Sequence, residues 1–243
     1  MIFPKENIKA IVFDYGNTLI EFGPAQIGMC DHGIADAVER LFGPLDRERL
    51  RAIRDANRKA IFEGDPPQYR ENDLYQITGA MVRDLYGSEP TRAQLDDVLQ
   101  ARMDVFVQST HAHDNVRQLL GRLGRRYRLA VLSNYPSGDA IRVSLKKVGL
   151  SEFFESVVVS ADLGFVKPHP ITFETILQQM QLSAGQILFV GDNWLADIQG
   201  AKRAGMYAAL TTEWVPYEHF DRHPNDHQPD FTITHLDQLE SYV

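Results

Sequence analysis

Apolar and polar positions alternate along this chain in two different rhythms. The run Ile8-Lys9-Ala10-Ile11-Val12-Phe13 is apolar and β-branched, the composition of a buried strand. Similar short runs predict strands at 128–133, 156–160, 187–191, 207–211 and 231–233. Between the later runs the hydrophobic positions fall into helical spacing. Strands that alternate with helices make a parallel sheet with helices on both faces. Residues 1–22 and 112–243 are therefore expected to form a Rossmann-like α/β core.

Residues 23–111 lack strand alternation and read as helices. Asp46 is placed to cap a helix running to Ile61 and Phe62, which stops at Gly64-Asp65-Pro66-Pro67. Glu71 or Asn72 starts a second, through Leu74, Ile77, Met81 and Leu85 to Gly87. Thr91 and Gln94 form a capping box ahead of Leu95, Val98, Leu99 and Phe106. The segment is expected to be an all-helical cap inserted between the first and second strands. Its polar, proline-bearing stretch from Gly64 to Asn72 reads either as a specificity loop or as an exposed connector.

Polar groups stand where the strands end. Asp14 follows the first, Ser133 ends the second and Gly191-Asp192 closes the fourth, while Lys167-Pro168 opens a helix. The carboxyl ends of parallel strands are where open α/β sheets bind ligands. Two carboxylates there suit magnesium, which prefers oxygen ligands and keeps room for substrate oxygens. Lys167 adds a positive point charge, and the Ser133 hydroxyl with loop N–H groups can hold phosphate oxygens. Singly, each residue has a plainer reading. Asp14, Asn17 and Thr18 could shape a turn, Lys167 could precede a helix carrying Pro170 in its first turn, Asp192 could be an N-cap, and Asp197 a surface acid. Their order along the chain favours a site.

In that order, Asp14-Tyr15-Gly16-Asn17-Thr18, Ser133-Asn134, Lys167-Pro168 and Gly191-Asp192-Asn193-Trp194-Leu195-Ala196-Asp197 resemble the four motifs of the haloacid dehalogenase superfamily of phosphohydrolases. The resemblance spans nearly the whole chain. It implies that Asp14 attacks phosphorus to give an aspartyl-phosphate, which water hydrolyses. It implies a catalytic role for Lys167, and substrate binding by Tyr15, Ser133, Asn134 and Lys167. Magnesium is implied on Asp14, the backbone carbonyl of Gly16 and Asp192, with Asp197 as a ligand or as an anchor behind the ligands. The commonest cap of the superfamily is a helical bundle at this point in the chain.

One position departs from the pattern. Gly16 stands where the superfamily's phosphatases usually carry a second Asp, which protonates the leaving oxygen and later activates water. Such proton transfer is typically worth ~10²–10⁴ in rate. Two routes around the loss are expected together. One is a donor from the cap, with Asp31, His32 and Tyr69 as candidates. The other is a substrate with a good leaving group, such as an acyl phosphate or an anomeric sugar phosphate. A weak catalyst is the third outcome.

Three functions compete: a magnesium-dependent phosphohydrolase of a small phosphorylated metabolite, a 2-haloacid dehalogenase, and a non-catalytic phospho-ligand binding protein. The superfamily's dehalogenases carry Tyr two residues after the nucleophile and lack the metal-binding Gly-Asp pair. Here Tyr15 follows directly and Asp192 is present, which favours the first. Loss of Asp14, Lys167 or Asp192 would have favoured the last, and none is lost.

Composition narrows the setting. A net charge of −8 over 243 residues argues against nucleic-acid and anionic-membrane partners. No apolar stretch approaches the ~20 residues of a membrane span. The start Met1-Ile2-Phe3-Pro4-Lys5 has no apolar signal-peptide region, and the lone Cys30 allows no intrachain disulfide, so a cytoplasmic protein is expected. Cys30 reads as a buried structural thiol. His219, His223 and His227 recur every four residues, but Pro224 and Pro229 break any helix there, so a solvated loop is preferred to a zinc face. His111 and His113 read as linker residues at the cap-to-core hinge. Arg122, Arg125, Arg126 and Arg128 read as cations at a helix C-terminus.

Overall fold

β1 (Ala10–Phe13) is buried along its whole length and has a parallel neighbour on each side. The structure is a computed structural model, which describes residues 4–215 and 222–243. Residues 1–3 of the N-terminal segment and His219 lie outside the described residues. The sheet contains β1, β2 (Arg128–Ser133), β3 (Ser156–Val159), β4 (Ile187–Gly191), β5 (Tyr207–Thr211) and β6 (Phe231–Ile233). Their order is β3-β2-β1-β4-β5-β6, and each pairing is parallel.

The central strands are continuously apolar because both faces of the sheet are covered. Ile11 and Phe13 point into one cluster with Leu119, Leu120 and Leu145, supplied by α5 (Asp114–Leu123) and α6 (Gly138–Lys147). Ala10 and Val12 point into the other with Phe173, Ile176 and Ala201, supplied by α8 (Pro170–Met180) and α9 (Gly200–Arg203). This is the expected Rossmann-like α/β arrangement.

Four consecutive helices intervene between β1 and β2: α1 (Pro24–Phe42), α2 (Arg47–Ala60), α3 (Leu74–Tyr86) and α4 (Arg92–Ser109). α1 packs along α4, α2 and α4 flank α3, and α4 leans on α6 of the core. Asp46 and Thr91 cap α2 and α4 with their side chains, as their sequence contexts predict. Cys30 sits half-buried in α1, its Sγ 3.8 Å from Ser109 Oγ. Burial pushes the thiol's pKa up, which leaves it a poor nucleophile.

Several boundaries move. β1 begins at Ala10 rather than residue 8, where pairing to Arg128 and Ile187 starts. β3 ends at Val159, and Ser160 instead opens the short α7 (Ser160–Leu163). α3 starts after Asp73, whose carboxylate accepts from Tyr75 N and Gln76 N. Glu71 and Asn72 lie ahead of it, and their side chains bond elsewhere. α8 begins at Pro170 with His169 as its cap, so Lys167-Pro168 precedes the helix by a turn.

The Gly64–Asn72 stretch is neither free nor merely a connector. Its second half lies across the core, with Val166 N donating to Tyr69 O at 2.8 Å and Glu71 N to Gly164 O at 3.0 Å. Two members of the arginine run pair with acids: Arg122 with Glu240 and Arg128 with Glu155. Arg122 thus ties α5 to the C-terminal turn Leu236–Ser241. His113 stands at the N-terminus of α5, with no capping bond from its side chain, and stacks on Trp214.

The Asp73 cap gives a stability test. Asp73→Ala should lower unfolding free energy by about 1 kcal/mol, with a range of about 0.5–2 for lost caps, and Asp73→Asn should recover most of it. Urea denaturation of the variants measures this. Equal stability of Asp73→Ala and the parent would contradict the assignment.

Candidate active site

Sheet register sets the site. Phe13 pairs with both Val131 and Val190, so Asp14, Ser133 and Asp192 emerge from one edge. Asp14 N continues the ladder by donating to Val190 O at 2.9 Å. The chain leaves β1 toward β2 and β3 on one side and returns to β4 on the other. Asp14 and Asp192 therefore flank the switch point, where open α/β sheets form their ligand crevice.

A buried ion cluster occupies that crevice. Lys167 is 1% exposed, and its Nζ donates to Asp14 Oδ1 at 2.7 Å, Asp197 Oδ1 at 2.7 Å and Leu132 O at 2.8 Å. An ammonium has three donors, so all are committed. A phosphate oxygen would have to displace an existing acceptor, and the observed role is to hold the two acids. Asn134 is likewise engaged through both ends of its amide. Its Oδ1 accepts from Lys167 N at 2.7 Å and its Nδ2 donates to Lys167 O at 3.0 Å. It positions Lys167.

Asp197 arrives by an unusual turn. Trp194–Gln199 is a π-helical segment, with Ile198 N reaching back to Asn193 O. Such wide turns are rare and often occur at functional sites. This one turns Asp197 inward, where Oδ2 accepts from Asn193 N at 2.9 Å. The surface-acid reading is thereby replaced, since Asp197 is 1% exposed. A Cβ on Gly191 would overlap the Asp197 carboxylate, so the glycine before Asp192 is a steric necessity.

Oxygen atoms of Asp14, Asp192 and Asp197 lie within 4.8 Å of one another. Three carboxylates against one ammonium leave formal negative charge in a nearly dry place. Burial, offset in part by Lys167 and reinforced by Asp197, raises Asp14 to about 6. Burial, then repulsion from Asp14 and Asp197, raises Asp192 well above the usual carboxylate range. Burial would lower Lys167, but attraction to Asp14 and Asp197 wins and raises it. An all-oxygen, over-acidic set fits a hard divalent cation. Among the described residues this is the one cluster of such groups. His223 and His227 lie in an irregular segment held through their backbones by Asp226 and Gln199.

Tyr15 goes the other way. It is 1% exposed, its hydroxyl lies 2.6 Å from Ser144 Oγ, and burial pushes its pKa up to about 12. Its ring joins the core cluster of Ile11 and Phe13. The ring thus packs in the core, as the period of two through Ile11, Phe13 and Tyr15 implies, while the residue also borders a cavity against the core loops. Asn17 has a positive φ of 54°, and its Oδ1 accepts from Phe22 N, so it shapes the turn.

A cavity of about 600 Å³ lies between α1–α4 and the core loops. Gly16, Ser133 and Asn134 form its floor on the core side, beside the acid cluster. Of the three candidate proton donors, Asp31 and His32 line the cavity and Tyr69 does not. Asp31 is ion-paired with Arg54, and His32 Nδ1 lies 2.8 Å from Gly28 O. Sequence reasoning missed Glu71 as part of this wall. It accepts from Ser160 Oγ, which in turn accepts from Tyr135 N at 2.8 Å. Nothing in the local pattern marks a contact 89 residues apart.

A family model described as haloacid dehalogenase-like hydrolase matches residues 8–205. The chain belongs to the haloacid dehalogenase-like hydrolases. A phosphoglycolate phosphatase of Vibrio cholerae is 29% identical, covering 98% of both chains. The HAD-hydrolase YfnB of Bacillus subtilis is 27% identical over 95% of this chain and 93% of its own. The structure of YfnB bound to magnesium superposes with a TM-score of 0.69 at 22% identity, covering 96% of this chain and 97% of that one. A 2-haloacid dehalogenase from Pseudomonas syringae pv. Tomato gives 0.73 at 23% identity, covering 97% of each. These structural likenesses show the fold that haloacid dehalogenase-like hydrolases share.

The contact between Gly191 and Asp197 can be tested by mutation. Gly191→Ala should destabilise the protein by about 1–3 kcal/mol, as overpacking does. Gly185→Ala, where an added Cβ meets nothing within 4 Å, should be nearly neutral. Equal urea midpoints for the two variants would refute the steric assignment.

Proposed function

We propose that this hydrolase is a magnesium-dependent phosphatase of a small phosphorylated metabolite, with Asp14 as nucleophile. The observation that carries the proposal is the convergence of Asp14, Asp192 and Asp197 around Lys167 with negative charge left over. The phosphoglycolate phosphatase relative and the magnesium-bound YfnB structure support it. In this reading residues 23–111 act as a cap over a core of 1–22 and 112–243, and the protein works in the cytoplasm. No helix among the described residues is long and apolar enough to cross a membrane.

Lys167 fixes Asp14 Oδ1 and with it the direction of the other oxygen. That oxygen attacks phosphorus, the ester oxygen leaves with the bonding electrons, and water then cleaves the acyl phosphate to release inorganic phosphate. Magnesium, held by Asp14, the Gly16 carbonyl and Asp192, would supply the positive charge that offsets repulsion between carboxylate and phosphate. Asp197, engaged through both oxygens by Lys167 and Asn193, acts as the anchor behind the ligands. The Ser133 hydroxyl serves a phosphate oxygen at the cavity floor.

The leaving oxygen needs a proton that Gly16 cannot give. With Asp31 committed to Arg54, His32 is the remaining donor of the three candidates. Substrates with acidic leaving groups need none. A dehalogenase reading predicts activity that survives a chelator, whereas this one predicts its loss.

Activity measurements address the chemistry. Asp14→Asn should abolish magnesium-dependent phosphate release across a panel of sugar, nucleotide, glycolate and acyl phosphates. Gly16→Asp should raise turnover on poor leaving groups, up to ~10²-fold, since an added Cβ there meets only Phe22 Cβ at 3.6 Å. No phosphate from any substrate would favour the binding-protein alternative.

Stability against pH addresses the cation site. A carboxyl raised from 3.8 to about 6 holds its proton better folded than unfolded. Its contribution is thus favourable at low pH and is lost as pH rises from about 4 to about 6, by roughly 3 kcal/mol in all. Millimolar magnesium should therefore raise the melting temperature more near neutral pH than near pH 4, and Asp192→Asn should remove the difference. Equal changes in melting temperature at both pH values would contradict the cation site.

A further inference from the structure

The cavity against the core loops has two characters. Much of its wall is apolar, including Ile20, Ile34, Leu50, Ile61, Met81 and Val98. The same wall carries Arg47, Arg51, Arg54, Arg58 and Arg102. Several arginines of this acidic protein are matched with carboxylates: Arg49 with Asp84, Arg92 with Asp96, Arg122 with Glu240, Arg128 with Glu155 and Arg142 with Asp162. Within the cavity Arg51 donates to the Arg47 carbonyl, and Arg47 and Arg54 pair with carboxylates. Arg58 and Arg102 do not. Neither makes an ion pair with a carboxylate among the described residues, and Arg102 Nε is buried with no hydrogen-bond partner there.

Guanidinium groups gathered in one cavity and not in ion-pair contact with a carboxylate are costly unless an anion joins them. Arg58 is exposed over its length, yet withdrawal of its charged end from water and repulsion from Arg54 and Arg102 hold its pKa down. The Arg102 end stands near the Tyr135 hydroxyl and the Glu71 carboxylate, and Tyr135 follows directly on the Ser133-Asn134 floor. The unmatched charge thus lies in the same cavity as the reacting end, across apolar surface. Pockets of ~300–1,000 Å³ take drug-sized molecules. At about 600 Å³ this one is far larger than a two-carbon phosphate requires.

We propose that Arg58 and Arg102 form an anion clamp, and that the substrate is a phosphate monoester with an apolar body and a carboxylate at its far end. The phosphate sits over Gly16 and Ser133, the apolar body lies along the α1, α2 and α4 side chains, and the carboxylate takes the fork of Arg102 with Arg58 beside it. A guanidinium matches a carboxylate through paired N–H donors. The proposal rests on the phosphatase reading for the reacting end only; the clamp itself is a binding site.

A matched pair of substrates tests it: 4-carboxyphenyl phosphate and phenyl phosphate, which differ by the distal carboxylate. Wild-type kcat/KM should favour the first by about tenfold or more, the worth of one charge-assisted hydrogen bond, and the gain should lie in KM. Arg102→Met and Arg58→Met should each bring the ratio toward one, and Arg102→Lys should keep part of it. Calorimetry with 4-hydroxybenzoate against phenol reads the clamp without catalysis. Binding of 4-hydroxybenzoate that Arg102→Met weakens, with no phosphate released from either ester, would uphold the clamp and defeat the phosphatase reading. Equal handling of both esters by the wild type, or a preference untouched by both methionine variants, would overturn the clamp. If Arg102→Met fails to fold, Arg58→Met and Arg102→Lys decide the matter by the same ratio.

Discussion

Lys167 carries positive charge where there is almost no water, and the site is arranged around that fact. An isolated buried ammonium is untenable, so its donors end on Asp14, Asp197 and the Leu132 carbonyl. Breaking such a cluster by removing one partner is far worse than never having built it. That asymmetry explains why so much surrounding chain is constrained. Asn134 clamps the Lys167 backbone from both sides, and the π-helical turn aims Asp197 at the same ammonium. Gly191 must lack a side chain for that carboxylate to fit. Yet the lysine does not neutralise the site. With Asp192 nearby, the acids outnumber the cation, and burial, reinforced by repulsion among those acids, holds the Asp14 and Asp192 carboxyls above the usual range.

The parallel sheet and the positions of Asp14, Ser133 and Asp192 were legible in the sequence, because strand ends follow from short apolar runs and parallel register brings those ends to one edge. The helical insert was legible for the same kind of reason: Asp46 and Thr91 are local signals that bond within their own first turns. What could not be read is direction and competition for donors. Lys167 was identifiable as a charge, but not as an ammonium with all its protons in use. Nor does anything local show that the Asn134 amide pairs with a backbone 33 residues away. Tyr15 is the exception, since its parity with Ile11 and Phe13 already placed its ring in the core. The contact between Glu71 and Ser160 has no local signature and depends wholly on how the 64–72 stretch crosses the core.

On the proposed phosphatase reading the fold divides labour between reaction and selection. Reactive geometry comes from ladder register, which is stiff because a slip by one residue would turn every side chain to the opposite face. Asp14 cannot move without disturbing β1 and its two neighbours. The cavity wall comes instead from α1–α4, held to the core mainly through α4 on α6 and the strap at 69–71. Those helices can present different side chains to the cavity without touching the acids. For the same reason the phosphoglycolate phosphatase relative does not fix the substrate of this chain: the shared ladder carries the chemistry, while recognition depends on surfaces outside it. Gly16 belongs with the second group in one respect. On the proposed phosphatase reading it leaves the acid cluster whole and lacks only a proton donor, which the helices or the substrate's own leaving group would replace.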